Sequence, residues 1–200
     1  MTQPAAFLFD PETHRYTLNG VALPGITQIL KLTGFVDGSW FTDEARDRGK
    51  AVHSACWFLA EGDLDWSTVG PDILPRVKAF EQFLNDYTPK LIMAERPLYS
   101  AMFGFAGTED FFFEIPGLGG ECIIEVKTGR AGLAAKLQTA AQRILIEENQ
   151  GIKKANRFGF ELSKEGRYKF VPHTDGTDKV MFLNAVAMIH RRINEGELKI

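Results

Sequence analysis

Glu121-Cys122-Ile123-Ile124-Glu125-Val126-Lys127-Thr128-Gly129-Arg130 is the stretch that decides how this chain reads. Its apolar run with β-branched residues predicts a strand, and side chains on a strand alternate between two faces. Glu125 and Lys127 therefore share one face, while Ile124 and Val126 share the other. Core strands rarely carry charge, because taking a charge out of water is costly unless it is paired. An acid and a lysine two apart in such a strand imply a use. Asp110 stands fifteen residues earlier on a second strand-like run, Gly104–Ile115, with a Gly107-Thr108-Glu109-Asp110 turn expected inside it. The loop Pro116-Gly117-Leu118-Gly119-Gly120 joins the two runs as a hairpin. Counted from Leu118, Asp110 lies eight residues back and Glu125 seven forward, so the two carboxylates can flank one ion. Mg²⁺ is satisfied by one or two carboxylates plus water and phosphate oxygens, and the Val126 backbone carbonyl offers a further ligand. Lys127 would then neutralise charge on a pentavalent phosphorus or orient the attacking water. The pattern points to metal-dependent phosphodiester hydrolysis.

Outward from this hairpin, the periodicity sets the remaining elements. Leu91–Tyr99 reads as a strand before it, and Leu133–Glu148 as an alanine- and leucine-rich helix after it. Arg157–Leu162 and Tyr168–Val171 are two more strands around Lys164-Glu165-Gly166, and Asp178–Asn194 is a closing amphipathic helix. Upstream, Phe7–Gly20 predicts a small hairpin, and Gly25–Leu30 a short helix capped by Thr27. Asp43–Ala60 and Pro71–Tyr87 read as long helices, with Val52 and Cys56, then Val77, Phe80 and Phe83, turned inward. Phe111-Phe112-Phe113 is core strand. With no repeat, low-complexity tract or linker, residues 1–200 are expected to form a single α/β domain. Its central mixed sheet would be flanked by helices, with a core of about 45–171 and the N-terminal hairpin and C-terminal helix appended.

Bulk properties frame this reading. The chain has 200 residues, a hydrophobic share of 44%, a charged share of 24% and a net charge of −3, ordinary for a globular protein. Cys56 and Cys122 are expected to be reduced, buried thiols, and two cysteines cannot hold an iron–sulfur cluster. No apolar run approaches the roughly 20 residues of a membrane span, and the first residues do not read as a signal peptide. A cytoplasmic protein that does not engage a membrane is the expectation. Positive charge is local. Residues 151–170 carry a balance of +4 from Lys153, Lys154, Arg157, Lys164, Arg167 and Lys169 against Glu161 and Glu165. Arg46, Arg48 and Lys50 cluster before His53. Such patches suit phosphate contacts, and Trp40, Phe41 and Trp57 could stack on unpaired bases.

Taken in order, RGKAVH (Arg48–His53), ERPLYS (Glu95–Ser100), GFAGTEDFFFEI (Gly104–Ile115), IIEVKTGR (Ile123–Arg130) and LQTAAQ (Leu137–Gln142) resemble the PD-(D/E)XK nuclease superfamily. Within it they are most similar to the RecB-type and phage-type exonucleases. The resemblance implies a restriction-endonuclease-like core, Mg²⁺ or Mn²⁺ as cofactor, and hydrolysis of DNA. Asp110 and Glu125 match the acidic metal ligands and Lys127 the catalytic lysine. His53 matches a helix histidine of the metal shell, and Glu95 an acid on the preceding strand that contacts the metal or its waters. Gln138 matches a glutamine that positions site or substrate, with Arg48, Thr128, Lys153 and Lys154 as further DNA contacts. Where a related pattern has tyrosine four residues after this glutamine, Gln142 stands instead. The implied activity is a phage or prophage exonuclease of recombination or repair, acting in the host cytoplasm with a single-strand-annealing or recombination protein as partner. A structure-specific endonuclease on the same core and a non-catalytic DNA-binding module are the alternatives.

Overall fold

The computed structural model describes residues 6–36 and 42–200; Trp40 and Phe41 lie outside them. Two sheets form. Strands β1 (Phe7–Asp10), β2 (Arg15–Leu18) and β3 (Val21–Leu23) make a small antiparallel sheet. The central sheet has the order β4 (Lys90–Ser100), β5 (Phe105–Ile115), β6 (Gly120–Lys127), β7 (Asn156–Leu162), β8 (Tyr168–Pro172). It is mixed: β6 and β7 run parallel and every other neighbouring pair is antiparallel. Helices cover both faces, so the architecture is the α/β sheet that the periodicity predicts.

Alternation along β6 builds a core on each side. Ile123 joins Phe112, Leu137, Leu145 and Phe182 beneath α1 (Ile26–Leu32), α4 (Leu133–Gln150) and α5 (Thr177–Asn194). Ile124 and Val126 join the opposite core beneath α2 (Asp43–Glu61) and α3 (Leu74–Tyr87). That second core is largely aromatic. The Phe83 ring lies 4.9 Å from Phe160 and 5.8 Å from Phe113, and Phe80 lies 5.1 Å from Phe111. Removing such a ring leaves a cavity and costs about 3–5 kcal/mol.

Three local expectations need correction. Helix α1 begins at Ile26 with Gly25 as its cap; the Gln28 side chain accepts the Gly25 N–H, and Thr27 lies inside the first turn. Gly25 takes that place because its extended backbone bridges to Ala106 of β5. Helix α3 starts at Leu74 rather than Pro71. Pro75 occupies its first turn, where a missing N–H leaves no helical bond unmade. Residues Gly107–Asp110 are strand, not turn.

That stretch of β5 is nevertheless irregular. Gly107 lies against Ile26 and Leu145, where a Cβ would come within 2.3 Å of the Ile26 side chain. Phe112 belongs to the same core. Residues five apart on a regular strand face opposite ways. The alternation of β5 therefore changes phase between them, in the span holding Glu109 and Asp110. Across the ladder, between the pairs Ala94–Phe111 and Arg96–Glu109, sits Glu95 with φ 47°. This is the left-handed region that non-glycine residues seldom occupy. The small N-terminal sheet abuts the same place: the buried Tyr16 hydroxyl lies 2.9 Å from Thr108 Oγ1.

A candidate metal centre at the open end of two strands

The β5–β6 ladder runs from Ile115–Gly120 to Phe111–Ile124 and stops there. Beyond it the Val126 N–H donates to the Asp110 carboxylate at 2.8 Å, so a side chain replaces the neighbouring backbone. A strand residue's N–H and C=O project toward the same neighbour, so the Val126 carbonyl faces this gap too. Here β6 ends, α4 departs, and the parallel β6–β7 pair opens. The crevice beyond the carboxyl ends of strands is the usual ligand position in an open α/β sheet.

Side chains from five separate segments converge in the gap. Lys127 Nζ donates to Glu125 Oε1 at 2.6 Å, and Gln142 Nε2 of α4 donates to Glu125 Oε2 at 2.7 Å. His53 of α2 reaches Asp110, with Nδ1 3.4 Å from Oδ1. Ligand atoms of His53, Glu95 and Asp110 all lie within 4.8 Å of one another. One imidazole and two carboxylates form an oxygen-rich set with a nitrogen, which suits Mn²⁺ and admits Mg²⁺. Glu125 is 2% exposed and both its oxygens are engaged, so it borders this set from β6.

The electrostatics are those of acids held too close together. Burial raises the Glu95 carboxyl, Asp110 adds to this, and together they outweigh His53 to bring it to about 7. Burial and Asp110 likewise raise Glu125 against the pull of Lys127. Burial works against a charged His53, yet the Asp110 carboxylate and its hydrogen bond prevail, pushing the ring up to about 9. Asp110 stays below its ordinary range: His53, Lys127 and the Val126 N–H overcome its burial. Lys127 is held protonated by Glu125 and Asp110 despite burial. Close like charges and low dielectric together shift acids in this way, and functional sites are where such clusters gather.

Glu109 is a residue the sequence does not flag. It is fully buried, neither carboxylate oxygen has a hydrogen-bond partner among the described residues, and burial raises it well above the carboxylate range. An acid beside an acid reads as a solvated pair, and only the fold reveals otherwise. Gln142, which the sequence marks only as standing where a related pattern has tyrosine, is the second whose contact the fold reveals. The contact to Glu125 comes from it, one helical turn beyond Gln138 on α4. The four-residue spacing that puts position 142 on the same helix face carries this signal.

The basic residues separate. Lys153 and Lys154 are exposed just before β7, whose Asn156 pairs with Cys122, whereas Lys127 pairs with Glu161. They therefore sit at the far end of the sheet, about 16 Å of strand from Lys127. Exposed Lys164, Arg167 and Lys169 stand around the β7–β8 turn at the near end. Arg157 is not a surface cation. It is buried against Asp178 at 2.9 Å and also donates to the Lys136 and Asp175 carbonyls. Arg48 is partly buried on α2, with Nε unpartnered among the described residues, and Thr128 is partly buried just after Lys127. Trp57 packs on the aromatic core rather than standing free to stack. Cys56 and Cys122 are free and buried; burial pushes Cys122 up to about 11.

No protein-family profile matches this chain, and no curated protein does. Among solved structures it is similar to a crystal structure named as a "putative exonuclease" from Eubacterium rectale. The two share 13% identity over 86% of this chain and 74% of the other, with a TM-score of 0.49. A likeness that distant decides nothing about activity, and the functional reading rests on the site's own geometry. Among the described residues no helix is long and apolar enough to cross a membrane.

Proposed function

We propose that the chain is a single nuclease domain of the PD-(D/E)XK type that hydrolyses DNA phosphodiesters with Mg²⁺ or Mn²⁺. Its proposed role is as an exonuclease of a phage or prophage recombination or repair system in the bacterial cytoplasm, beside a single-strand-annealing or recombination protein. One observation carries the reading: His53, Glu95 and Asp110 meet around one point, with the Lys127–Glu125 pair on the adjoining strand. His53, Glu95 and Asp110 would hold the ion, with Glu125 and the Val126 carbonyl completing its shell. When bound, it supplies Lewis-acid polarisation of a phosphate oxygen and a more acidic water. Lys127 keeps a proton and a positive charge at the mouth of the site. There it orients the attacking water and stabilises charge growing on the phosphoryl oxygens. Asp110 and Glu125 fix His53 and Lys127 through the contacts already described. Lys164, Arg167 and Lys169 offer phosphate contacts along the near rim, and Thr128, Gln138 and Arg48 offer contacts closer in. Lys153 and Lys154 would meet a more distant stretch of DNA.

Digestion of end-labelled linear and closed circular DNA, single- and double-stranded, with Mg²⁺, Mn²⁺ or EDTA tests this. The expected result is cation-dependent release of nucleotides from linear DNA, with circles left intact. Cut circles would make the protein an endonuclease, and DNA retention without turnover at any cation concentration would make it a binding module.

A further inference from the structure

Gln142 is buried, 2% exposed, on the α4 face above β6. Its Nε2 donates to Glu125 Oε2, while its own Oε1 is buried with no partner among the described residues. A buried acceptor without a donor is destabilising. The opposite orientation of the amide would set its oxygen against the carboxylate, acceptor against acceptor. The fold thus tolerates an orphan carbonyl in order to keep a donor on Glu125. That carboxylate could otherwise rotate about its last bond. With Oε2 tied to α4, Oε1 is the oxygen left for the site, and Lys127 now holds it.

We propose that Gln142 is a positioning residue. It fixes the Glu125 carboxylate from behind, so that Oε1 alone is presented to Lys127 and to a divalent cation. The proposal rests on the reading of the site as a cation centre. Groups that orient ligating carboxylates are commonly worth 10- to 100-fold in metal affinity.

The test is calorimetric titration of Mn²⁺ into the full chain and into Q142M, E125A and the double variant. Far-UV circular dichroism and thermal unfolding in EDTA serve as fold controls. Q142M keeps the volume and removes the donor. It is expected to weaken Mn²⁺ binding roughly tenfold in the wild-type background and less than twofold in the E125A background. A merely structural role would weaken binding equally in both. Equal losses, or no loss in the wild-type background, overturn the proposal. If Q142M does not fold, Q142A enters the same cycle; failure of both to fold makes Gln142 a residue of the fold and also overturns it. A wild-type chain that binds Mn²⁺ but cleaves no DNA removes the nuclease reading alone, and the cycle still decides Gln142. A wild-type chain that binds no Mn²⁺ removes both.

Discussion

Two ion pairs anchored on the same sheet, one buried on both sides and one through its acid alone, behave in opposite ways. Arg157–Asp178, with side chains 6% and 3% exposed, is closed: one cation meets one anion, and two backbone carbonyls take further guanidinium protons. Lys127–Glu125 is shorter, at 2.6 Å, but open: Asp110, Glu95 and Glu109 crowd around it, with His53 set against Asp110 and Glu95 and Arg96 against Glu109. The first pair balances its own charge and joins α5 to β7. The second belongs to an excess of acid, which suits the proposed cation. Burial by itself therefore does not mark function; the mismatch between charges and partners does.

The sharpest way to break the contrast is to remove one partner from each pair. Asp178→Ala leaves a buried guanidinium unpaired and is expected to cost about 3–5 kcal/mol of stability, read by denaturant unfolding. A loss below 1 kcal/mol would mean the closed pair is not structural. Lys127→Ala should instead cost less stability in EDTA, because Glu125, already raised by burial and Asp110, can take up a proton, and should lower the rate of Mg²⁺-dependent cleavage about 10²–10³-fold, the scale for losing one preorganised charge-stabilising donor. Cleavage at the wild-type rate would sink the proposed role of Lys127.

A smaller effect comes from Glu109. Its folded-state pKa is raised by burial, so the unfolded chain releases that proton first, and stability falls as pH rises above the ordinary glutamate value. Glu109→Gln is therefore expected to raise Tm at pH 7 by roughly 2–4 °C, the shift about 1 kcal/mol gives a chain of this size. At pH 4 the difference should vanish. An equal gain at both pH values would show that charge is not the cause. The smallest signal is in proton counting. With His53 at about 9 and Glu95 at about 7, the proposed ligands carry protons at pH 7.5 that a bound cation would have to displace. Calorimetry in buffers of different ionisation enthalpy should find about one proton released per Mn²⁺ bound. Release should fall above pH 9, where His53 is already neutral; a pH-independent value would contradict that assignment.

Most of the elements, and the approach of Asp110 to the end of β6 at Val126, were legible because both follow from short-range rules. Alternation placed Glu125 and Lys127 on one face, and the loop around Leu118 set the register of β5 against β6. What failed depended on distant partners. Arg157 looks like part of a basic patch until Asp178, far along the chain, is brought to it by α5. Thr27 is a good capping residue, but Ala106 on another strand draws Gly25 into the cap position. Gln138 and Gln142 lie on the same helix face, and only the depth of α4 against β6 settles which one touches Glu125. His53 joined the set through motif order alone, since nothing local to α2 announces Asp110.

Glu95 narrows what this chain can become. Glycine would suit a φ of 47° and aspartate or asparagine would tolerate it better than glutamate does. Glycine removes the carboxylate, and aspartate draws it back by one methylene. A sequence drifting toward an easier backbone here therefore drifts away from the third proposed ligand, while one that keeps the carboxylate carries a twisted strand. In a lineage that had ceased to need a cation, position 95 is where glycine or asparagine should appear first.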